Sequence, residues 1–165
     1  MDAARLFAEH HAALVRYLVR LTGDGDLAAD AAQEAFARLI ANPPRDERPR
    51  AWLFTVATNV VRADANRARR RRELLDGAPG RAPGGDMPPR PDDEMESNEL
   101  RRTVRTALGS LSEKERTVLL MREEGFSHRE IAEAAGTTTG SVGTMIARAL
   151  DKLAERLPLD AEDLP

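Results

Sequence analysis

A chain of 165 residues that is 41% hydrophobic but only 4% aromatic can bury one modest core or two thin ones, which suits small helical domains rather than a large enzyme. It holds no Cys, which excludes disulfides, thiolate catalysis and Cys-ligated zinc. The net charge of −3 conceals an uneven distribution: nine basic residues stand against four acidic ones in 43–75, and two against seven in 76–99, so a polyanion-binding block precedes an acidic stretch.

The opening segment, "MDAARLFAEHHAALVRY", carries acids and lacks the long apolar core of a secretion signal. No later run approaches the roughly 20 apolar residues that span a bilayer. A cytoplasmic chain with no membrane insertion is expected. Over 3–22, Leu6, Phe7, Leu14, Tyr17, Leu18 and Leu21 recur at helical spacing, with His10 and His11 expected at the surface. "TGDGD" ends this helix, Gly23 and Gly25 supplying a C-cap and turn. A second helix is predicted from Asp26 to Ala41, burying Leu27, Ala31, Ala35, Phe36 and Leu39. The Pro-bounded loop "NPPRDERP" follows, and then a long helix from Arg50 to Leu75. Its buried stripe is read as Trp52, Leu53, Val56, Val60 and Ala63; core is favoured over base stacking for Trp52, the only Trp. The end of that helix, "RADANRARRRR", places six Arg in eleven residues. Some Arg would suit the helix C-terminal dipole, but the number favours a polyanion partner. Three such amphipathic helices can bury one another's stripes.

Residues 77–93 hold four Gly and five Pro, so 76–93 reads as a flexible linker. Beyond it, 94–157 reads as four helices. "SEKE" at 112–115 and "SHRE" at 127–130 both match S-x-x-E, a reciprocal cap at a helix start. A last helix is predicted over 140–157, with 158–165 as an acidic tail. Ala132, Gly136 and Val142 have helix-turn-helix spacing: a small residue at the crossing, a Gly for the turn, and an apolar residue between the helices alongside Ile131, Ala135 and Ile146. An ordinary αα-corner could carry the same turn. The capping box, the spacing and the polar turn "TTTGS" together favour DNA. Thr138, Thr139, Ser141 and Thr144 are the candidates for base edges, with Arg129 and Arg148 on phosphates. His128, inside the capping box, reads as solvated. Three scattered His, no Cys and no P-loop or nucleophile–base pair give no metal site, no cofactor and no seat for catalysis.

Taken together, the segments resemble a bacterial extracytoplasmic-function (group 4) RNA polymerase sigma factor. "DLAADAAQEAFARL" is similar to the motif that binds the clamp helices of the polymerase's largest subunit. "WLFTVATNVVRADANRARRRR" is similar to the helix that melts and reads the −10 element. "LGSLSEKERTVLLMREEGFSHREIAEAAGTTTGSVGTMIARALDKL" is similar to the −35-reading domain. The likeness covers residues 5–157, interrupted by the linker. It implies an all-α fold of two small domains: a three-helix bundle at 1–75 for polymerase and −10 binding, and a four-helix domain at 94–157 for the −35 element.

By position, the resemblance assigns Asp30, Gln33, Glu34 and Arg38 to polymerase. It assigns Asn59, Arg62, Asp64 and Arg67, with Arg45 and Arg48 of the base-capture loop and the neighbouring Arg69 and Arg70, to melted −10 DNA. Ser141, Thr144 and Arg148 fall on the −35 reading helix. The implied partners are core RNA polymerase, through clamp and flap, promoter DNA, duplex at −35 and melted at −10, and an anti-sigma factor. The linker would be a plain tether or would thread the polymerase channels, where Asp86 and Asp92 to Glu96 suit a path meant for nucleic acid. Gly143 and Met145 stand where many relatives carry Lys or Arg, and Ala29, Ala31 and Ala32 where many are bulkier. The alternatives are a dimeric helix-turn-helix regulator acting without polymerase and a helical adaptor binding only protein.

Overall fold

The computed structural model describes residues 1–76 and 95–157, and every regular element in them is an α-helix. The order is α1 (Ala3–Thr22), α2 (Gly25–Ala41), α3 (Pro49–Asp76), α4 (Met95–Gly109), α5 (Glu113–Glu123), α6 (His128–Ala135) and α7 (Thr139–Arg156). The chain divides into two compact units, within Met1–Asp86 and Met87–Pro165. The expected linker, but for its first residue, and the expected acidic tail lie outside the described residues.

In the first unit α1, α2 and α3 pack against one another. Gly23 closes α1 in the left-handed region at φ 70°, its amide donating to the Val19 carbonyl. Asp24 then caps α2, its carboxylate accepting from the amides of Asp26 and Leu27. Gly25 is therefore the first residue of α2 rather than a turn residue. So tight a connection folds α2 back along α1, and the close approach is filled by alanine. Ala28, Ala31, Ala32 and Ala35 are at most 1% exposed. Ala31 and Ala32 thus belong to the seam between helices, and of the three alanines noted above only Ala29 faces solvent.

The buried stripe of α3 lies one position round from the expected one. Leu53, Phe54, Ala57, Thr58 and Val61 are buried; Trp52, Val56 and Val60 are half-buried, and Ala63 is exposed. The pattern misleads because Thr58 counts as polar in a hydropathy reading. In the structure its hydroxyl donates to the Phe54 carbonyl at 2.7 Å and meets the Tyr17 hydroxyl at 2.8 Å, so it carries no unsatisfied group into the core. The Tyr17 and Phe54 rings pack at 5.1 Å beside it. Phe7, expected in the core, is 46% exposed; it stacks on His11 at 4.2 Å and touches Phe36 at 5.0 Å. His10 and His11 are half-buried rather than at the surface. Burial, with Arg50 nearby, holds His10 below the usual histidine range.

In the second unit α5, α6 and α7 pack mutually around Val118, Met121, Phe126, Ile131, Ala135, Val142 and Ala149. Both expected capping boxes form. Ser112 and Glu115 exchange side-chain and amide hydrogen bonds at 2.9 and 3.2 Å, as do Ser127 and Glu130. The end of α4 is held by Ala107, by Leu111 beyond it, and by Arg116, whose half-buried guanidinium donates to the carbonyls of Leu108 and Leu111. Gly136 ends α6 at φ 68°, and its amide donates to the Ala132 carbonyl. This is the turn that aims α7.

Candidate nucleic-acid interface

An α-helix advances about 100° per residue, so the buried Val142 and Ala149 fix which residues α7 turns outward. Thr139, Gly140, Gly143 and Thr144 are exposed on its first turns, with Arg148 one turn further. None of the first four is charged. Thr138 is the N-cap, yet its hydroxyl does not cap; it meets the Ser141 hydroxyl at 2.7 Å. The helix thus opens on hydroxyl groups, which can accept or donate to base edges and phosphates without formal charge.

Charge reaches this face from its flanks. On the α5 side an open groove is lined by Ser112, Lys114, Glu115, Ser141, Thr144 and Arg148, among others. It brings together three of the expected contacts and adds Lys114, which the sequence reading did not single out. Lys114 lies in the first turn of α5, and only the packing of α5 on α7 puts it beside Thr144. One lining residue, Glu115, is tied to α7 by Lys152, whose ammonium donates to both Glu115 oxygens at 2.7 and 2.8 Å. That contact, and after it the Ser112 amide, holds the Glu115 carboxyl below the usual carboxylate range. On the other flank Arg129 is exposed, 3.6 Å from Glu133.

The first unit carries the other expected sites. Asp30, Gln33, Glu34 and Arg38 are all exposed, on the side of α2 opposite its alanine seam. Arg38 donates to Glu34 at 2.8 Å across one turn. Arg45 and Arg48 are exposed in the loop before α3, Arg48 lying 3.2 Å from Asp46.

On α3, Asn59 is exposed and accepts from Arg62 at 3.4 Å, while Asp64 pairs with Arg67. Helical spacing sets Arg62 and Arg69 to one side of Asn59 and the Asp64–Arg67 pair to the other. Beyond Val61 no residue of α3 through Leu75 is buried, so its arginines, Arg70 included, radiate from a projecting end rather than lining one face. The half-buried Trp52 lies two turns before Asn59 on the same side of the helix. Its place beside the expected −10 residues, rather than in the core, was hidden by the shifted stripe.

No helix among the described residues is long and apolar enough to cross a membrane, and no cluster of three or more metal-ligating side chains occurs among them.

Residues 6–72 match the Sigma-70 region 2 family and residues 101–153 match Sigma-70, region 4. The chain is 33% identical over 153 residues to the ECF RNA polymerase sigma factor EcfG of Rhodopseudomonas palustris, spanning 89% of this chain and 81% of that protein. It is 35% identical over 142 residues to the ECF RNA polymerase sigma factor SigL of Mycobacterium tuberculosis, spanning 83% and 78%. Its fold matches that of the sigma factor RpoE of Bartonella quintana, solved with the anti-sigma factor NepR, with a TM-score of 0.72 at 22% identity over 95% of this chain and 97% of that one. It also matches CnrH, solved with the cytosolic domain of CnrY, with a TM-score of 0.64 at 24% identity over 93% and 85%. The chain belongs to the ECF RNA polymerase sigma factors, and it works with core RNA polymerase to direct transcription initiation at promoter DNA.

Proposed function

We propose a division of labour for this sigma factor: neither DNA-facing unit binds a promoter usefully alone, and core polymerase makes one reader of the two. The observation that carries this is the exposed face of the first two turns of α7, where Thr139, Gly140, Gly143 and Thr144 offer no charge. Neutralised phosphates dominate the strength of DNA binding, so such a face orients more than it holds. Docking on polymerase would hold both readers at high effective concentration over one promoter, where two weak contacts can sum.

In this reading the α2 stripe of Asp30, Gln33, Glu34 and Arg38 meets the clamp of the largest subunit. Asn59, Arg62 and the Arg-rich end of α3 take the melted −10 strand, with Arg45 and Arg48 beside the captured base. Ser141, Thr144, Arg148 and Lys114 meet the −35 duplex. In this reading 1–75 serves polymerase and −10 binding, and 94–157 serves the −35 element. Polymerase supplies the chemistry, and the chain acts in the cytoplasm as a non-enzymatic subunit. Two relatives in fold, RpoE and CnrH, were solved with the anti-sigma factor NepR and with CnrY, which supports a protein antagonist for this chain too.

The test is run-off transcription with core polymerase on a genomic template library, followed by footprinting of the promoter found. Protection of both elements is expected with polymerase, and little with the chain alone at physiological salt. A tight, sequence-specific footprint by the free chain would refute the division of labour and favour a conventional regulator. Asn59→Ala with Arg62→Ala should abolish opening while polymerase binding stays intact, an outcome a pure adaptor would not give.

A further inference from the structure

His10 is a titratable side chain that none of the DNA or polymerase contacts above uses, and it lies in a seam between two helices. His10, Leu14 and Tyr17 share one face of α1. At the far end of that face Tyr17 packs on Phe54 of α3 and meets Thr58. At the near end His10 comes under the charge of Arg50, in the first turn of α3. The His10 side chain is only 18% exposed. Arg50 is half-buried too, its guanidinium 5.3 Å over the Phe54 ring. Phe54 thus touches both Tyr17 and Arg50, and His10 lies at the N-terminal end of the same seam.

Positive charge is poorly tolerated there. A cation in the first turn of a helix opposes the helix dipole, and Arg50 already is one, steadied by the face of the Phe54 ring. A proton on His10 would set a second cation beside it in a half-buried place. From α3 the charged group facing His10 is Arg50, and from α1 it is Glu9; no other group among the described residues acts on it. Glu9 lies 3.8 Å from the His10 Nε2, and its other oxygen already accepts from Arg5 at 2.7 Å. Burial and Arg50 therefore favour the neutral imidazole. The folded chain protonates His10 less readily than the unfolded chain does. The seam is thus fully stable above the ordinary histidine value of about 6.5. It weakens as pH falls below that value and levels off once pH passes the lowered folded value. Arg45 and Arg48 lie in the loop that leads directly into Arg50, so the seam that fixes the start of α3 also sets where they sit.

We propose that His10 and Arg50 form an acid-released catch between α1 and the start of α3, whose release takes Arg45 and Arg48 out of register with −10 DNA. This rests on the assignment of that loop and of α3 to the melted −10 strand. With His10 neutral the catch is shut and the loop is placed for base capture. With His10 protonated the two cations part and α3 shifts at its first turn. Promoter opening then slows, while the exposed α2 stripe, which takes no part in the seam, keeps its hold on polymerase.

The experiment follows promoter opening by holoenzyme assembled from core polymerase and the full chain, read by a fluorescent adenine analogue in the −10 strand. It runs from about pH 7.5 to about pH 5.5, either side of the ordinary histidine value. Each wild-type rate is divided by that of His10→Gln holoenzyme at the same pH, which removes the polymerase's own pH dependence. The ratio should be near one at the upper limit and fall several-fold by the lower, by no more than about tenfold per pH unit for a single proton. His10→Asn, a second neutral replacement, should serve equally as the reference. His11→Gln alters the neighbouring imidazole, which packs on Phe7 and Phe36 instead, and should leave the fall in place. A ratio that stays flat, a fall that His11→Gln abolishes, or loss of polymerase binding in step with the loss of opening would each overturn the proposal. Normal opening at the upper pH by Arg45→Ala with Arg48→Ala would instead bring down the assignment of the loop to −10 DNA.

Discussion

The Tyr17–Thr58 contact joins α1 to the helix that carries Asn59 and Arg62, and it gives a quantitative expectation. Both residues are 1% exposed. Thr58 gives its one hydroxyl proton to the Phe54 carbonyl, so at 2.8 Å the Tyr17 hydroxyl is the donor in the pair. Thr58→Val keeps the shape but removes a buried acceptor of the Tyr17 hydroxyl, and should cost about 1–2 kcal/mol. Tyr17→Phe removes the donor and leaves Thr58 still bonded to Phe54, so it should cost about 1 kcal/mol. The double variant leaves no polar group of this pair behind. It should cost no more than the worse single change, a coupling of about 1 kcal/mol. The only Trp, Trp52, lies in this unit, so urea unfolding followed by its fluorescence reports on the N-terminal unit within the full chain. Strict additivity of the two substitutions would show that the hydroxyls contribute independently, and the argument from the shared proton would fail.

Gly136→Ala forces a Cβ into the left-handed region at φ 68°. It should destabilise the helix-turn-helix by about 1–2 kcal/mol, seen as earlier proteolysis of the C-terminal unit with the Trp52 transition unmoved. The Lys152–Glu115 contact makes that unit acid-sensitive in a defined sense. Because the Glu115 carboxyl is lowered in the folded state, its contribution is complete above the unfolded carboxylate value of about 4.3 and is lost as pH falls through the lowered folded value. Lys152→Met should flatten that acid limb in far-UV circular dichroism. At neutral pH it should cost less than about 1 kcal/mol, since the Lys152 side chain is 47% exposed.

What could be read from the chain directly was whatever short-range chemistry decides. Both S-x-x-E boxes, the Gly23 and Gly136 turns and the seven helices of the described residues are written within a few residues of where they act, because capping and φ > 0 are local demands. The order of motifs was likewise enough for the family. Burial between helices was legible only in part. In α3 two adjacent apolar stripes fit a period of 3.6 equally well, and the choice fell to α1, whose Tyr17 hydroxyl makes Thr58 a core residue and turns Trp52 halfway to solvent. In α2 Ala31 and Ala35 read as buried, but Ala28 and Ala32 join them only because α1 packs against that face. Lys114 was hidden inside a capping box. Only the packing of α5 on α7 brings it beside Thr144, because a neighbour across an interface leaves no period in the sequence.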